Sequence, residues 1–201
     1  MPGKEVKSYS SALYSFEKSF QPVLIPSNSR AAYLQVWEAF LYSIEQMISI
    51  KGAAFVAACM CQAQANPTID MLMYYDARPC AMNGMWDFYT FRPLKGYYPF
   101  FIYANLYELG NSVSYETDDP DIYISAATDG KSSRAMVVYY AEDDSKMGKK
   151  VTVDLHGADL DGAKIFVVDA NNTMREHLTA RVENGQLSVW MDRNSIVYIE
   201  R

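Results

Sequence analysis

The sequence predicts an α+β fold in which a mostly helical, partial (β/α)-barrel segment precedes an antiparallel β-sandwich. Two observations predict this order. Up to about residue 110, apolar residues recur at helical spacing around a single strand-like run. Beyond that point they alternate with polar residues at the two-residue period of β-strands, and turn residues interrupt them at short intervals. We therefore expect two domains, residues 1–110 and residues 111–201.

Three helical patterns precede the strand-like run. Residues 8–20 predict a short helix, and the stretch 29–50 repeats apolar side chains at helical spacing for more than four turns. Ser29 is expected to cap this second helix. Gly52 is expected to separate it from the third, residues 53–65, which is apolar on almost every side and should therefore be buried.

The strand-like run lies between two helices. Asn66 and Pro67 end the third helix, and residues 69–75 follow as an almost continuous apolar stretch. Such a stretch predicts a strand covered on both faces, as in a parallel sheet. A long loop then leads to a helix that begins near Pro99 and reaches Leu109. This order is a piece of a β/α repeat, but at most two strands are available where a whole barrel needs eight.

The second half contains short alternating segments separated by polar turns, which is typical of an antiparallel β-sandwich. The pair Asn184-Gly185 predicts a hairpin turn, and Trp190 on a strand is expected in the core. This half is expected to be structural. The predicted strands are residues 112–117, 121–128, 134–142, 149–157, 164–170, 175–183, 186–192 and 195–201.

Composition excludes several classes of function. A net charge of −6 without a basic stripe argues against binding to nucleic acid or to an anionic membrane. The sequence has no run of 18 apolar residues and no signal-peptide pattern at its start. Cys59, Cys61 and Cys80 are expected to be reduced thiols, which favours a cytoplasmic setting. With His156 and His177 far from these cysteines, the sequence predicts no metal site and no cofactor.

Polar and aromatic residues cluster after the predicted strand. Tyr75, Asp76, Arg78, Asn83 and Trp86 lie at or just beyond its C-terminal end, where β/α proteins place their binding groups. Aromatic rings can stack on the C–H faces of sugars, and the polar side chains can exchange hydrogen bonds with hydroxyls. The pattern therefore predicts a carbohydrate site. The alternative is structural: Asp76 and Arg78 would pin the loop, and Trp86 and Phe88 would cover the end of the barrel.

The same region does not supply an evident catalytic pair. Glycoside hydrolysis needs two carboxyl groups about 5–9.5 Å apart. Glu38 and Glu45 are expected on the solvated side of their helix, and Asp70 lies at the start of the predicted strand. Only Asp76 and Asp87 lie in the loop at residues 76–96, which we call the aromatic loop, and nothing in the sequence gives either an acid or a base role.

The resemblance to a known family rests on the stretches “SIKGAAFVAACMCQAQ” and “DMLMYYDARPCAMNGMWDFYTFRPLKGYYPFFIYANLYELGNSV”. Together with the terminal sandwich, they resemble the C-terminal part of family 39, β-xylosidase-like glycoside hydrolases, over roughly residues 42–201. Those enzymes have a (β/α)₈ barrel, with catalytic glutamates near the ends of its fourth and seventh strands, and then a β-sandwich. The resemblance implies that residues 51–65, 69–75 and 97–109 are the seventh helix, eighth strand and eighth helix.

The resemblance implies a substrate-side role for the five residues of the aromatic loop, but no catalytic residue. The fourth strand of the barrel, with the acid/base glutamate, would precede residue 1. The segment “PVLIPSNSR” stands where the nucleophile of the seventh strand is expected, and it contains no glutamate. We therefore expect this chain to be the C-terminal fragment of an enzyme for plant-type β-glycosides, such as xylosides or arabinosides. The fragment is expected to be inactive alone. It would self-associate or require an upstream, barrel-supplying chain. The alternatives are a non-catalytic carbohydrate-binding module and a structural β-sandwich module.

Overall fold

The computed structural model describes the chain from residue 30 onward, with side-chain burial from residue 37. The chain divides into two compact units, Met1–Phe40 and Leu41–Arg201. The predicted helix at residues 8–20 and Ser29, the expected cap of the second helix, lie outside the described residues. The described ranges are 30–75, 77–79, 84–154, 160–177, 180–183 and 186–201.

The helices form close to their predicted positions. Helix α1 is Arg30–Ile48, α2 is Ile50–Ala65 and α3 is Tyr98–Tyr107, and a 3₁₀ turn at Lys95–Tyr97 leads into α3. Pro99 lies in the first turn of α3, where its missing N–H removes no helical hydrogen bond. No single described helix is long and apolar enough to cross a membrane. The bent pair Trp37–Ile48 and Ile50–Ala65 passes such a test by length and composition only.

The break between α1 and α2 lies at Ser49, so the prediction that Gly52 separates them is wrong. The Ser49 hydroxyl accepts a hydrogen bond from Lys51 N at 3.1 Å and donates one to Gln46 O at 2.7 Å. It thereby caps α2. Gly52 has another role, because a Cβ at that position would lie 2.5 Å from Met47 O. A side chain there would push the two helices apart.

From Trp37 onward, most apolar side chains of α1 are exposed. Its helical period is the one the sequence predicts, yet Leu41, Met47 and Ile48 remain open to solvent. In the first unit, the exposed rings of Trp37 and Phe40 contact each other, with centroids 5.6 Å apart. Apolar helix faces are normally buried against another element, so these side chains have the composition of a packing surface.

Nine strands in the described residues form two antiparallel sheets. The strands are β1 Asn111–Val113, β2 Ile122–Thr128, β3 Ser133–Tyr139, β4 Lys149–Asp154, β5 Lys164–Val168, β6 Arg175–Glu176, β7 Arg181–Glu183, β8 Gln186–Met191 and β9 Ser195–Glu200. The larger sheet has the order β1-β2-β3-β9-β5-β6, and the smaller sheet has the order β4-β8-β7. The fold is therefore α+β with a β-sandwich in its C-terminal part, as predicted.

The larger sheet has an apolar core on each face. In β3, Ala135, Val137 and Tyr139 join the core shared with the smaller sheet, whereas Met136 and Val138 join the core shared with α2 and α3. Strands covered on both faces are apolar at every position, which explains the continuous burial of β3 and β9. Helices α2 and α3, the larger sheet and the smaller sheet thus form three layers. The predicted division at residues 110/111 stays a prediction.

Most predicted strands form with shorter ends, but the one predicted at residues 175–183 is two strands. Its first part is β6 in the larger sheet, and its last part is β7 in the smaller sheet. Strand β7 pairs with β8, with Glu183 opposite Gln186. The antiparallel pair stands where the hairpin was predicted, while the turn residues Asn184 and Gly185 lie outside the described residues.

The prediction that residues 69–75 form a covered strand is wrong. The described chain has no regular secondary structure there and belongs to no sheet, and Met71, Leu72 and Met73 are exposed. A strand is defined by hydrogen bonds to a neighbour, and the described strands all lie in the two sheets beyond residue 110. An apolar sequence alone therefore does not produce a strand here.

The prediction that Trp190 lies in the core is also wrong. The alternate residues Leu187, Val189 and Met191 of β8 are buried between the sheets. The two-residue period of a strand then turns Trp190 to the outer face, where 57% of its surface is exposed.

Candidate functional site

The site begins where α2 ends. Asn66 caps the helix, and its side-chain oxygen accepts hydrogen bonds from Thr68 N at 3.0 Å and from the Thr68 hydroxyl at 2.7 Å. Ile69 N donates to Asn66 O at 3.1 Å. Pro67 cannot donate a helical hydrogen bond. These contacts turn the chain out of the helix and start the segment 69–75.

A groove lies between α2 and the segment 69–75. Its volume is about 490 Å³, and its walls are mainly apolar. Tyr74 is half-buried and contacts Phe100 of α3, with ring centroids 5.2 Å apart. The neighbouring side chains of the segment are open to solvent; Met73 is 83% exposed and Tyr75 86%. The side of the groove formed by the helices includes Phe55, Val56, Cys59, Met60, Phe100 and Tyr103.

The loop after this segment contacts the end of α1 through glycines. Gly84 has a positive φ of 72°, and a Cβ there would lie 2.4 Å from Met47 O. Gly96 is buried, and a Cβ on it would lie 2.5 Å from Gly84 O. Glycine is therefore required at both positions, because its missing side chain lets three backbone segments meet. This junction sets the position of the loop between the two glycines.

The loop itself is a tight hairpin-like turn. Leu94 N donates to Met85 O and Asp87 N to Arg92 O, both at 2.8 Å. The carboxylate of Asp87 accepts hydrogen bonds from Tyr89 N at 3.1 Å, from Thr90 N at 2.7 Å and from the Thr90 hydroxyl at 2.7 Å. Such a side-chain-to-backbone cap is a frequent way to hold a turn.

Aromatic side chains cover this turn. Trp86 forms an isolated bridge with Pro93 and contacts Tyr97, with ring centroids 4.9 Å apart. Tyr97 also contacts Phe101 of α3 at 6.2 Å. The tip carries three further aromatic side chains that are exposed: Phe88, Tyr89 and Phe91. The base of the turn is thus packed on α3, and its tip presents rings to solvent.

Lys95 ties the loop to the sandwich. Its ammonium group donates to Asp169 O at 2.5 Å and to Asn172 O at 3.1 Å, in the turn between β5 and β6. Partial burial lowers the pKa of Lys95, and the nearby charge of Asp169 opposes that shift. The aromatic loop is therefore fixed at both ends, by glycine contacts to α1 and by this lysine to the larger sheet.

The predicted site residues do not all come together. Trp86 lies half-buried in the aromatic cluster, whereas Tyr75 and Arg78 are exposed on the chain that leads to it. Asp76 and Asn83 lie outside the described residues, so their predicted roles stay predictions. Carbohydrate binding by these five residues likewise stays a prediction.

The described carboxyl groups near the loop do not have the environment of a catalytic acid. Hydrogen bonds from the hydroxyl and then the N–H of Thr90 hold the pKa of Asp87 below its usual value, so Asp87 is ionised at neutral pH. Glu38 and Glu45 are exposed, as predicted, while Asp70 is exposed rather than buried in a strand. A glycosidase acid needs a raised pKa, and among the described carboxyl groups every resolved shift is downward.

Two cysteines of α2 are free thiols. Burial raises the pKa of Cys59 to about 11 and that of Cys61 to about 12. Both thiols are therefore protonated at neutral pH, and the thiolate is the reactive form of cysteine. Cys61 is buried and Cys59 half-buried, in the helix that was predicted to be buried. The described residues contain no group of His, Cys, Asp and Glu that could hold a metal ion.

Sequence reasoning missed Tyr97, Lys95 and the pair of glycines that fix the loop. The pattern Asp87-x-x-Thr90 was the available signal for the turn, because an Asp three residues before a Thr is typical of a capped turn. Lys95 had no comparable signal, since its partners Asp169 and Asn172 are more than seventy residues away in sequence.

Comparison with known proteins identifies the class of fold. No family model matches the sequence, and no curated protein matches it. A family 30 subfamily 8 xylanase from Clostridium acetobutylicum is similar in structure, with a TM-score of 0.61 and 11% identity, over 76% of this chain and 39% of the xylanase. A family 44 xyloglucanase from Paenibacillus polymyxa has a TM-score of 0.53 and 16% identity, over 76% of this chain and 29% of that enzyme.

The chain therefore has a glycoside hydrolase-like fold and spans about two fifths of the length of the xylanase it matches. The family 39 glycoside hydrolase from Bacteroides cellulosilyticus reaches a TM-score of only 0.44, at 18% identity, over 73% of this chain and 29% of its own length. The predicted likeness to glycoside hydrolases is thus confirmed at the level of the fold, whereas the assignment to family 39 is not.

Proposed function

We propose that this chain is the C-terminal part of a glycoside hydrolase for plant-type β-glycosides, such as xylosides or arabinosides, and that it is inactive alone. The observation that carries the proposal is the apolar segment 69–75, which follows α2 and belongs to no described sheet. In this proposal the segment becomes the eighth strand of a (β/α)₈ barrel only when the rest of the barrel supplies its neighbouring strands, and α3 is the helix that follows it.

The surface around the segment supports this assignment. In a closed barrel each parallel strand has a neighbour on both sides and helices behind it. Here α2 and α3 stand behind the segment, but Met71, Leu72 and Met73 are exposed. Leu41 and Met47 of α1 are exposed as well. Exposed apolar side chains grouped in this way normally mark a contact with another element or chain, which here would be the rest of the barrel.

The described carboxyl groups support the absence of catalysis by this part alone. Asp87 is held ionised in its turn, and Asp144 forms ion pairs with Lys51 at 3.1 Å and Arg193 at 2.7 Å. Neither environment favours the protonated acid that glycoside cleavage requires. The acid/base and nucleophile groups would come from the remaining part of the enzyme, while Tyr75, Asp76, Arg78, Asn83 and Trp86 would line the substrate.

The names of the structural neighbours suggest the substrate class. One matched structure is described as a xylanase and another as a xyloglucanase, and both names denote enzymes of plant polysaccharides. The partner of this chain would then be a carbohydrate, together with either a barrel-supplying chain or a second copy that covers the exposed segment.

A direct assay tests the proposal. The purified chain is incubated with 4-nitrophenyl β-xyloside and 4-nitrophenyl α-arabinoside, and nitrophenol release is compared with a protein-free blank. We expect no release above the blank. The proposal of an inactive part is wrong if the chain turns over either substrate and the turnover disappears in Asp70→Asn, Asp76→Asn or Asp87→Asn.

A second function, non-catalytic carbohydrate binding, is favoured by the tip of the aromatic loop. Phe88, Tyr89 and Phe91 are exposed there on a turn whose backbone is held by Asp87. Titration with xylo-oligosaccharides, followed by tryptophan fluorescence, tests it. A signal that is lost in Trp86→Ala would support binding by this loop, whereas a flat titration in both proteins would exclude it.

A further inference from the structure

The outer face of the smaller sheet carries a tryptophan that no part of the fold requires. Strand β8 buries Leu187 and Val189 and turns Ser188 and Trp190 outward. Trp190 is 57% exposed, and it is the one large apolar side chain that β4, β7 and β8 turn outward. We call this outer surface of the three strands the Trp190 face. An indole so exposed contributes little to the core, so its position calls for another explanation.

The indole ring is held in one orientation. Its Nε1 donates a hydrogen bond to Asp192 Oδ1 at 3.1 Å. A Cβ on Gly148 would lie 3.0 Å from Nε1 and 3.0 Å from Cζ2 of the ring, so the ring rests against the backbone of Gly148. An exposed side chain usually samples several rotamers, and a ring that is already fixed loses less entropy when a ligand binds. Trp190 is thus a pre-ordered flat apolar surface.

The groups around the ring are polar, and their charges nearly cancel. Across the strands, Lys150 pairs with Trp190, and Thr152 and Arg181 pair with Ser188. At the far end of the face, Asp154 and Glu183 flank Gln186. With Asp192 beside the indole, the two cations and three carboxylates leave one net negative charge, and hydroxyl and amide groups lie between them. Such a surface suits a neutral ligand that carries many hydroxyl groups and one apolar flank.

We propose that the Trp190 face binds a neutral β-linked polysaccharide chain, with one sugar ring stacked on the indole and its hydroxyls bonded to the polar side chains. Protein interfaces have a core of several apolar side chains, whereas this face has only Trp190 among its outward residues. That composition disfavours a protein partner or a second copy. The choice of a plant-type polysaccharide rests on the proposed function, but the site is separate from the loop that follows segment 69–75.

Affinity gel electrophoresis tests the proposal, with soluble β-1,4-xylan in one gel and no polysaccharide in the other. We expect xylan to retard the wild-type chain, and Trp190→Ala to weaken binding by about tenfold. Trp37→Ala removes another exposed tryptophan and should be retarded like the wild type. Circular dichroism confirms that the variants fold, which is expected because the side chain at 190 is largely outside the core.

A second pair of variants tests the fixed ring. Asp192→Ala frees the indole and should weaken xylan binding by about threefold, while Asp192→Asn keeps an acceptor and should restore it. Equal retardation of wild type and folded Trp190→Ala, or no retardation of the wild type, overturns the proposal. A Trp190→Ala variant that loses self-association in light scattering without a change in retardation also overturns it. None of these results depends on whether the chain hydrolyses aryl glycosides.

Discussion

Replacing Gly84 with alanine should detach the aromatic loop from α1. Gly84 has a φ of +72°, and a Cβ there would lie 2.4 Å from Met47 O. The left-handed backbone alone costs alanine about 1–2 kcal/mol, and crowding against a backbone oxygen adds about 1–3 kcal/mol. Together these terms predict a loss of about 2–5 kcal/mol from the free energy of unfolding.

Gly110→Ala is the matched control. Gly110 has a φ of +82°, similar to that of Gly84, but no atom lies within 4 Å of a Cβ at that position. This variant should therefore lose only the backbone part, about 1–2 kcal/mol. The difference between the two variants isolates the contact between the loop and α1.

Urea unfolding followed by tryptophan fluorescence measures both free energies, with equal slopes required for a valid comparison. We expect Gly84→Ala to unfold at a clearly lower urea concentration than Gly110→Ala. If the two variants lose the same stability, Gly84 does not lie against Met47 O. The geometry of the loop, and the position it gives to Trp86, would then be wrong.

Two other predictions concern the exposed segment and the capped turn. Met71→Lys should leave the folded monomer nearly unchanged but weaken any self-association by tenfold or more, since burying a methionine is worth about 1.5–3 kcal/mol. Light scattering measures the association, and Tyr107→Lys, on another exposed surface, is the control. Equal association of the two variants would contradict this prediction. The pKa of Asp87 is lowered by Thr90, so its contribution to stability is present above the unfolded value of 3.8 and is lost as pH falls through its folded pKa. Thermal unfolding below pH 5 should therefore show a smaller acid loss in Asp87→Asn than in the wild type, and equal losses would refute the role of its hydrogen bonds.

Elements governed by local patterns could be predicted from the sequence. Helix α1 follows from its apolar spacing, and β2, β3 and β9 follow from apolar runs bounded by polar turns. The helix break was misassigned to Gly52 because glycine is a stronger general breaker than serine, although Ser49 supplies the cap. Here the side-chain hydrogen bond, rather than backbone freedom, determines where the helix starts.

Elements that depend on a distant partner could not be predicted in the same way. Residues 69–75 have the composition of a buried strand, but strand formation requires a neighbouring strand. Lys95 contacts the sandwich through backbone carbonyls, which have no signature in sequence. Trp190 was predictable in principle, because Val189 and Met191 on either side of it occupy the inward positions of the alternating strand.

Hydrogen exchange tests the proposed open barrel edge most directly. In the purified monomer, the account predicts that the amides of Met71, Leu72 and Met73 exchange nearly as fast as those of an unstructured peptide, because these residues belong to no described sheet. The amides of Val137 and Val138 in β3, paired on both sides, should be strongly protected. Protection of residues 71–73 comparable to that of β3 would contradict the account, because the segment would already have a strand partner within this chain.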